Sequence, residues 1–375
     1  MEWRVPLADL DYGLEEERAV IDVLRSKWLT MGERTAAFEA AFANLTGAKH
    51  AVAVSNATQA LHLACQALGV GPGDEVIVPS LTFVATANAV LYCGGEVRFA
   101  EVIGPEDLTI DPASIEAHIT PKTKAIIPMH YAGYPCRMPE IIALAQKHSL
   151  GVIEDAAHAP GASLDGRALG TWGEIGCFSF FSNKNLPTGE GGMLTTDRDD
   201  LAEKLRLLRS HGMTTLTYER HKGHAFSYDV VDLGYNDRID EIRAALGLAQ
   251  LDKLVRNNAR RRALTQSYWD SLADTGLTLP FKDVDRGQPA CHILPVLLPE
   301  GADRQAFMTG LRDAGVQSSI HYRPIHTFSY YVERYGEQTL PLTEAVAARE
   351  VTLPLYPTMG KLEVDLVIEV VGLSI

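Results

Sequence analysis

The chain has 375 residues, 46% of them hydrophobic, so it can bury a large core divided among two or three structural units. Its formal net charge of −14 at pH 7 argues against non-specific nucleic-acid binding, which requires a basic surface. No apolar run approaches the ~20 residues of a membrane span, and the acidic, mixed start Met1-Glu2-Trp3-Arg4 is unlike a signal peptide. We therefore expect a soluble, cytoplasmic enzyme without a nucleic-acid or membrane partner.

The first 200 residues predict an α/β fold. Short apolar runs alternate with helical patterns there, which indicates a mainly parallel sheet covered by helices on both faces. The predicted strands are residues 51–55, 75–79, 96–101, 124–130, 151–155, 176–181 and 192–196.

A smaller α+β unit is predicted after this sheet. Apolar residues at i, i+3 and i+4 spacing predict a long helix over 238–255. Strands over 291–298 and 316–322 and helices over 304–314 and 342–350 follow. We accordingly divide the chain into a large domain, residues 1–250, and a small domain, residues 251–375.

Residues 214–229 separate the two regions and show no periodicity. Non-periodic segments of this length in compact domains are often functional or disordered. Two interpretations remain open: a loop near a subunit interface that orders over substrate, or a surface insertion.

The segment 51–68 reads as a strand, a turn of small residues and an amphipathic helix. Backbone N–H groups of Ala57 and Thr58, together with the Thr58 hydroxyl, would bind an anion such as phosphate at the helix N-terminus. Alternatively, the polar residues only cap the helix. Phe83 follows the next strand and either stacks on a planar ring or belongs to the core.

Two further residues suggest covalent chemistry. Lys184 follows Phe178, Phe180 and Phe181, and desolvation by such neighbours lowers the pKa of a lysine toward neutrality. A neutral amine forms Schiff bases with carbonyls, pyridoxal phosphate (PLP) among them. The alternative is a lysine that extends from a strand end to solvent. Asp155 ends an apolar strand, where a carboxylate would keep the pyridine nitrogen of PLP protonated or would cap a helix beginning at Ala156.

Taken in chain order, these segments resemble fold-type I PLP enzymes, specifically the nucleotide-sugar aminotransferases. Within that group the chain is most similar to enzymes that aminate C4 of a TDP-4-keto-6-deoxyhexose, with residues 130–133 and 320–326 as the best matches. The other matching segments are 71–80, 82–88, 154–158, 178–180, 184–185, 189–192 and 234–239.

The resemblance implies roles for three catalytic residues. Lys184 would bind the cofactor covalently and move a proton between the donor and the cofactor. Asp155 would pair with the pyridine nitrogen. His158 matches a position near the ring oxygen of the cofactor.

The resemblance also implies a shared cofactor site. Ser179, Ala57 and Thr58 would bind the phosphate, and Phe83 would stack on the ring. Asn236 matches a residue that reaches the phosphate bound in the neighbouring subunit, which requires a homodimer.

The implied reaction transfers an amino group from L-glutamate to the 4-keto carbon of the sugar. A lysine at position 184 disfavours the related dehydratases, which carry histidine there. Amination at C3, or a PLP-binding sensor without catalysis, remains an alternative. Residues placed near the substrate by position are Tyr322, Arg323, His326 and Arg238; Lys27 and Arg34 are further cations for a diphosphate.

The remaining reactive residue types give no site of their own. The five cysteines have no paired spacing, so we expect reduced, partly buried thiols. None of the twelve histidines forms a His-x-x-x-His pair, and we expect no metal site.

Overall fold

The computed structural model describes residues 3–214, 228–284 and 287–374. The strands are β1 (His50–Val54), β2 (Glu75–Pro79), β3 (Glu96–Ala100), β4 (Val102–Gly104), β5 (Asp107–Ile110), β6 (Thr123–Ile126), β7 (Gly151–Asp155), β8 (Ser163–Leu164), β9 (Arg167–Ala168), β10 (Ile175–Ser179), β11 (Gly192–Thr196), β12 (Leu294–Leu297) and β13 (Glu350–Leu353). The helices are α1 (Leu14–Ser26), α2 (Glu33–Thr46), α3 (Ala57–Ala67), α4 (Ala85–Tyr92), α5 (Pro112–Ala117), α6 (Met138–His148), α7 (Asp199–Arg209), α8 (Glu241–Leu272), α9 (Arg304–Asp313), α10 (Ser329–Tyr335), α11 (Pro341–Arg349) and α12 (Lys361–Ser374).

Seven strands form the central sheet in the order β1-β11-β10-β7-β6-β2-β3. Strand β11 is antiparallel to both of its neighbours, and the remaining pairs are parallel. Each of the seven strands predicted from the sequence overlaps one member of this sheet, so the mainly parallel α/β architecture is confirmed. Strand β6 ends at Ile126, before the predicted end at residue 130, and the chain turns at 131–133 instead.

Both faces of the sheet are buried. Along β1, Val52 and Val54 join one apolar cluster, whereas Ala51 and Ala53 join another. The first cluster includes residues of α3, α4 and α7, and the second includes residues of α2, α6 and α8. Strands buried on both faces read as continuous apolar runs, which explains why the sequence revealed them.

Strands β12 and β13 form a separate antiparallel pair with its own apolar cluster, which includes residues of α9 and α12. Helices α9 and α11 match the two predicted helices. The predicted strand over 316–322 is wrong: Val316 pairs with Val5, while Ser319 pairs with Thr352. Two positions in this segment therefore bridge different parts of the chain. The strand predicted over 291–298 is present but shorter, since β12 includes only Leu294–Leu297.

Helix α8 is much longer than predicted. It begins at Glu241, where the Asp240 carboxylate accepts a hydrogen bond from the Arg243 N–H at 2.9 Å, and it continues to Leu272. The proposed domain boundary at residues 250 and 251 falls inside it. The division into two domains therefore stays a prediction.

Several predictions concern features other than the sheet. All five cysteines are free thiols, and all are buried, whereas we expected only partial burial. Within the described ranges no helix has the length and apolar character to cross a bilayer, and no three His, Cys, Asp or Glu side chains are grouped as metal ligands. Most of the predicted loop, residues 215–227, lies outside the described residues.

Candidate active site

A cavity of about 660 Å³ lies at the edge of the sheet where the parallel strands end. The segments after β1, β2, β7 and β10 all reach this edge, and residues 321 and 322 from the C-terminal part of the chain also line the cavity. Eight of the residues predicted from the sequence line the cavity: Ala57, Thr58, Phe83, Asp155, His158, Ser179, Lys184 and Tyr322.

Helix α3 presents its N-terminus to the cavity. Asn56 caps the helix, with its side-chain oxygen 2.9 Å from the Gln59 N–H, so the capping interpretation holds for this residue. Ala57 and Thr58, in the first turn, nevertheless line the cavity. The positive end of the helix dipole at this turn is suited to an anion. Asn56 can therefore cap the helix while Ala57 and Thr58 bind an anion, so the two interpretations are compatible.

Gly192 allows this turn to lie against the sheet. It pairs with Val54 and Ser179 on either side, at the start of β11. A Cβ atom added there would lie 2.6 Å from the Asn56 carbonyl carbon and 2.9 Å from the Ala57 nitrogen. A side chain at position 192 would therefore displace the N-terminus of α3.

Asp155 is buried at the end of β7. Its carboxylate accepts hydrogen bonds from the Thr86 hydroxyl at 2.7 Å and from the Ala157 N–H at 3.2 Å. Burial raises the pKa of this carboxyl, and the two hydrogen bonds and the charge of Lys184 partly offset the effect. No helix begins at Ala156, so the helix-cap interpretation is wrong; Asp155 closes a turn instead. Its remaining acceptor positions are available to a ligand.

Lys184 follows a segment whose phenylalanine rings pack against other phenylalanines. The Phe178 and Phe42 rings are 4.9 Å apart, and the Phe180 and Phe38 rings are 5.2 Å apart. Desolvation lowers the pKa of Lys184 to about 8, with the negative charge of Asp155 opposing this shift. The amine lies 3.4 Å from Nε2 of buried His292, so the alternative in which it extends to solvent is wrong.

His158 and Tyr322 form one wall of the cavity. The Tyr322 hydroxyl lies 2.9 Å from His158 Nε2, and burial holds the pKa of His158 well below its ordinary value. His158 Nδ1 is buried without a hydrogen-bond partner among the described residues. This atom is therefore suited to a polar group of a ligand.

Phe83 lies at the cavity mouth, with its ring 6.2 Å from that of Tyr322. Its side chain is 57% exposed, which excludes the core interpretation for this residue.

The other predicted residues do not line this cavity. Asn236 is exposed and pairs through its backbone with Ser210, while Arg238 pairs with Val54. Arg323 donates to Thr327. His326 is buried between Ser80, 2.7 Å from Nδ1, and Glu344, 3.2 Å from Nε2. Their roles in substrate or cofactor binding stay predictions, and His326 holds its own loop in place within this protomer.

Two histidines were missed by the sequence analysis. His292 contacts Lys184, and His321 lines the cavity beside Tyr322. The local sequence of His292 offered one signal, a histidine inside the apolar run Cys291-His292-Ile293-Leu294.

The arrangement fits PLP. The first turn of α3 and the Ser179 hydroxyl suit the phosphate, and the exposed ring of Phe83 suits stacking. Asp155 supplies a buried carboxylate, and His158 Nδ1 supplies a buried polar atom that lacks a partner. Lys184 supplies an amine whose lowered pKa favours attack on a carbonyl.

A model of the DegT/DnrJ/EryC1/StrS aminotransferase family matches residues 11–372. The chain belongs to this family. The spore coat polysaccharide biosynthesis protein SpsC of Bacillus subtilis (strain 168) is 42% identical over 367 residues, 96% of this chain and 94% of SpsC. DesV of S. venezuelae, solved with a ketimine intermediate, is 35% identical with a TM-score of 0.91 and 98% of each chain covered. The aminotransferase TlmJ of Streptoalloteichus hindustanus is 33% identical with a TM-score of 0.92, covering 99% of this chain and 98% of TlmJ.

These similarities confirm that the chain is a sugar aminotransferase, together with the fold-type I architecture and the cofactor. The protein is a PLP-dependent sugar aminotransferase. It transfers an amino group to a sugar-linked keto group.

Proposed function

We propose that the protein transfers the amino group of L-glutamate to the 4-keto carbon of a TDP-linked 4-keto-6-deoxyhexose, in the cytoplasm and as a homodimer with shared active sites. One observation carries the chemistry. An amine with a pKa lowered to about 8 and a buried carboxylate line the same cavity, beside a helix N-terminus that suits a phosphate.

Bound PLP would supply an aldehyde carbon that takes up the amino group and a ring that accepts electrons from the reacting carbon. Asp155 would pair with the ring nitrogen and favour its protonated form, because a nearby buried carboxylate stabilises a positive charge. Lys184 Nζ would hold the cofactor and, once the amino donor has displaced it, would take a proton from the donor Cα and return one on the acceptor side. The buried walls around both residues limit access of water.

The homodimer proposal rests on charge and on the position of Asn236. Among the described residues that line the cavity, Lys184 is the sole lysine or arginine. A cofactor phosphate and a nucleotide diphosphate bring several negative charges, so cations must come from beyond these lining residues. Asn236 is exposed and does not line the cavity of its own protomer. Both observations support a site completed by a neighbouring subunit, with Arg238 and Arg323 as the proposed diphosphate ligands.

The position of amination rests on the sequence resemblance in residues 130–133 and 320–326. Amination at C3 would use the same residues and differ in how the sugar lies over the cofactor. The non-catalytic sensor is disfavoured, since Lys184, Asp155 and His158 line one cavity and the matching family model describes aminotransferases.

The cofactor half of the proposal is tested by absorption spectroscopy of wild type and Lys184→Ala. L-Glutamate should bleach the visible band of the wild type, and the variant should lack this lysine-linked band. A wild type that binds PLP but is not bleached by L-glutamate would exclude that donor.

The acceptor is tested separately, with enzyme first converted by L-glutamate and then freed of it. TDP-4-keto- and TDP-3-keto-6-deoxyhexoses are added in parallel, and the amino sugar is measured by mass spectrometry together with recovery of the visible band. We expect product from the 4-keto sugar. Product from the 3-keto sugar alone would overturn the proposed position.

A further inference from the structure

His292 reaches the candidate site from the C-terminal part of the chain, 108 residues after Lys184. Its side chain is buried, and Nε2 lies 3.4 Å from Lys184 Nζ. What this contact does depends on which ring nitrogen carries the proton, and the surrounding hydrogen bonds determine that.

Hydrogen bonds determine which way the side-chain amide of Asn185 faces. Its Nδ2 donates to the Ala290 carbonyl at 2.9 Å and to Asn258 Oδ1 at 2.8 Å. Asn258 in turn donates from Nδ2 to the Pro160 carbonyl at 2.9 Å. Backbone carbonyls only accept, so neither amide can be turned over without facing acceptor to acceptor. Both Asn185 hydrogens are therefore used, and its Oδ1 is left as an acceptor.

This acceptor determines the tautomer of His292. Asn185 Oδ1 lies 2.9 Å from His292 Nδ1, so Nδ1 must carry the hydrogen. Burial and the charge of Lys184 hold the pKa of His292 well below its ordinary value, and a neutral imidazole carries one hydrogen only. His292 Nε2 therefore presents a lone pair to the lysine amine.

The backbone of His292 is held from two sides. Its N–H donates to the Ala132 carbonyl at 2.8 Å, and its carbonyl accepts from the Arg261 guanidinium at 3.2 Å. Arg261 also donates to the Leu355 carbonyl at 2.9 Å. These contacts fix the backbone of His292, and the hydrogen bond with Asn185 fixes its ring beside Lys184.

We propose that His292 is a positioning residue that accepts an N–H of Lys184 and thereby aims the lone pair of the neutral amine into the cavity. One amine hydrogen is directed to Nε2, which leaves the lone pair free to face a carbonyl. This inference rests on Lys184 as the reacting amine, but it does not depend on the sugar or on the donor.

The test measures the reaction of cofactor-free protein with pyridoxal, which lacks the phosphate, across pH 6 to 10 by the visible band. His292→Phe removes the acceptor and keeps a planar ring. We expect the rate at high pH to fall about fivefold, the factor that one ordinary hydrogen bond is worth. The midpoint of the pH profile should also fall, since the acceptor that stabilises the ammonium is lost.

Two variants serve as controls. His292→Gln offers an N–H for Asn185 and an oxygen for Lys184, so it should recover most of the rate. His62→Phe alters another histidine that packs against Tyr92 and Tyr235 outside the cavity, and it should leave rate and midpoint unchanged. A purely structural role for His292 would lower the thermal stability of the Phe variant without moving the midpoint, and that result would overturn the proposal.

A second measurement needs no variant of His292. In wild-type protein labelled with ¹⁵N-histidine, the His292 signals, assigned by their response to Lys184→Met, should report a protonated Nδ1 and an unprotonated Nε2. A proton on Nε2 would overturn the proposal even if the variants fail to fold. Pyridoxal binding without any sugar turnover would leave this inference standing and count against the proposed substrate instead.

Discussion

Replacing Lys184 by methionine in cofactor-free protein should change how stability depends on pH. Burial lowers the pKa of this amine from 10.5 to about 8, so between these values the unfolded chain binds a proton that the folded protein does not. The wild type is therefore destabilised below pH 8, and this penalty disappears as the pH rises toward 10.5. Each pH unit is worth about 1.4 kcal/mol, which gives about 3 kcal/mol over the window.

Thermal unfolding of the wild type and of Lys184→Met from pH 7 to 10.5 measures this effect. The difference between their melting temperatures at each pH removes the contribution of groups that titrate in both proteins. With an unfolding entropy of about 2.1 cal/mol/K per residue, the wild type should gain about 4 °C relative to Lys184→Met across the window. Lys361→Met, whose side chain is 88% exposed, is the matched control and should remain parallel to wild type. A constant difference between wild type and Lys184→Met would refute the desolvation argument.

Three further variants test separate parts of the site. Asp155→Asn should retain PLP, because the amide oxygen still accepts hydrogen bonds, but should lose transamination by roughly 10²-fold or more; near wild-type turnover would remove Asp155 from its proposed role. Gly192→Ala should weaken PLP binding measured by equilibrium dialysis, since its Cβ would collide with Asn56, whereas Gly71→Ala has no neighbour within 4 Å and should not. Asn236→Ala should also weaken PLP binding. When its subunits are mixed with Lys184→Met subunits, each mixed dimer should have one intact site, formed by Lys184 of one subunit and Asn236 of the other. No restoration of binding would mean that Asn236 acts within its own subunit.

The sequence predicted the sheet and the residues after its strands because both leave short-range signals. The buried strands are continuous apolar runs, and Asp155 and Lys184 directly follow such runs. The site also depends on His292, which lies 108 residues after Lys184, near the start of a strand predicted for the small domain. Nothing local indicates that its backbone pairs with Ala132, so the contact could not be predicted.

Helix α8 was predicted too short for a related reason. Residues 256–262 are strongly polar, which ordinarily indicates solvent, yet Asn257, Asn258 and Arg261 are buried. Asn258 and Arg261 donate to carbonyls of distant segments, Pro160 and Leu355 respectively. A helix is hard to recognise from its sequence pattern when buried polar residues on it form hydrogen bonds with distant backbone. Here these residues also hold the segments around the candidate site.

The order in which the cavity walls occur along the chain bears on biosynthesis. Translation completes the last strand of the central sheet at Thr196, whereas His292, His321 and Tyr322 emerge from the ribosome about a hundred residues later. A nascent chain can thus present the phosphate turn and Lys184 before the histidines and the tyrosine wall exist. Enclosure of the cofactor site therefore requires nearly the whole chain, and a chain stalled in α8 would leave Lys184 more solvated, with a pKa closer to its ordinary value.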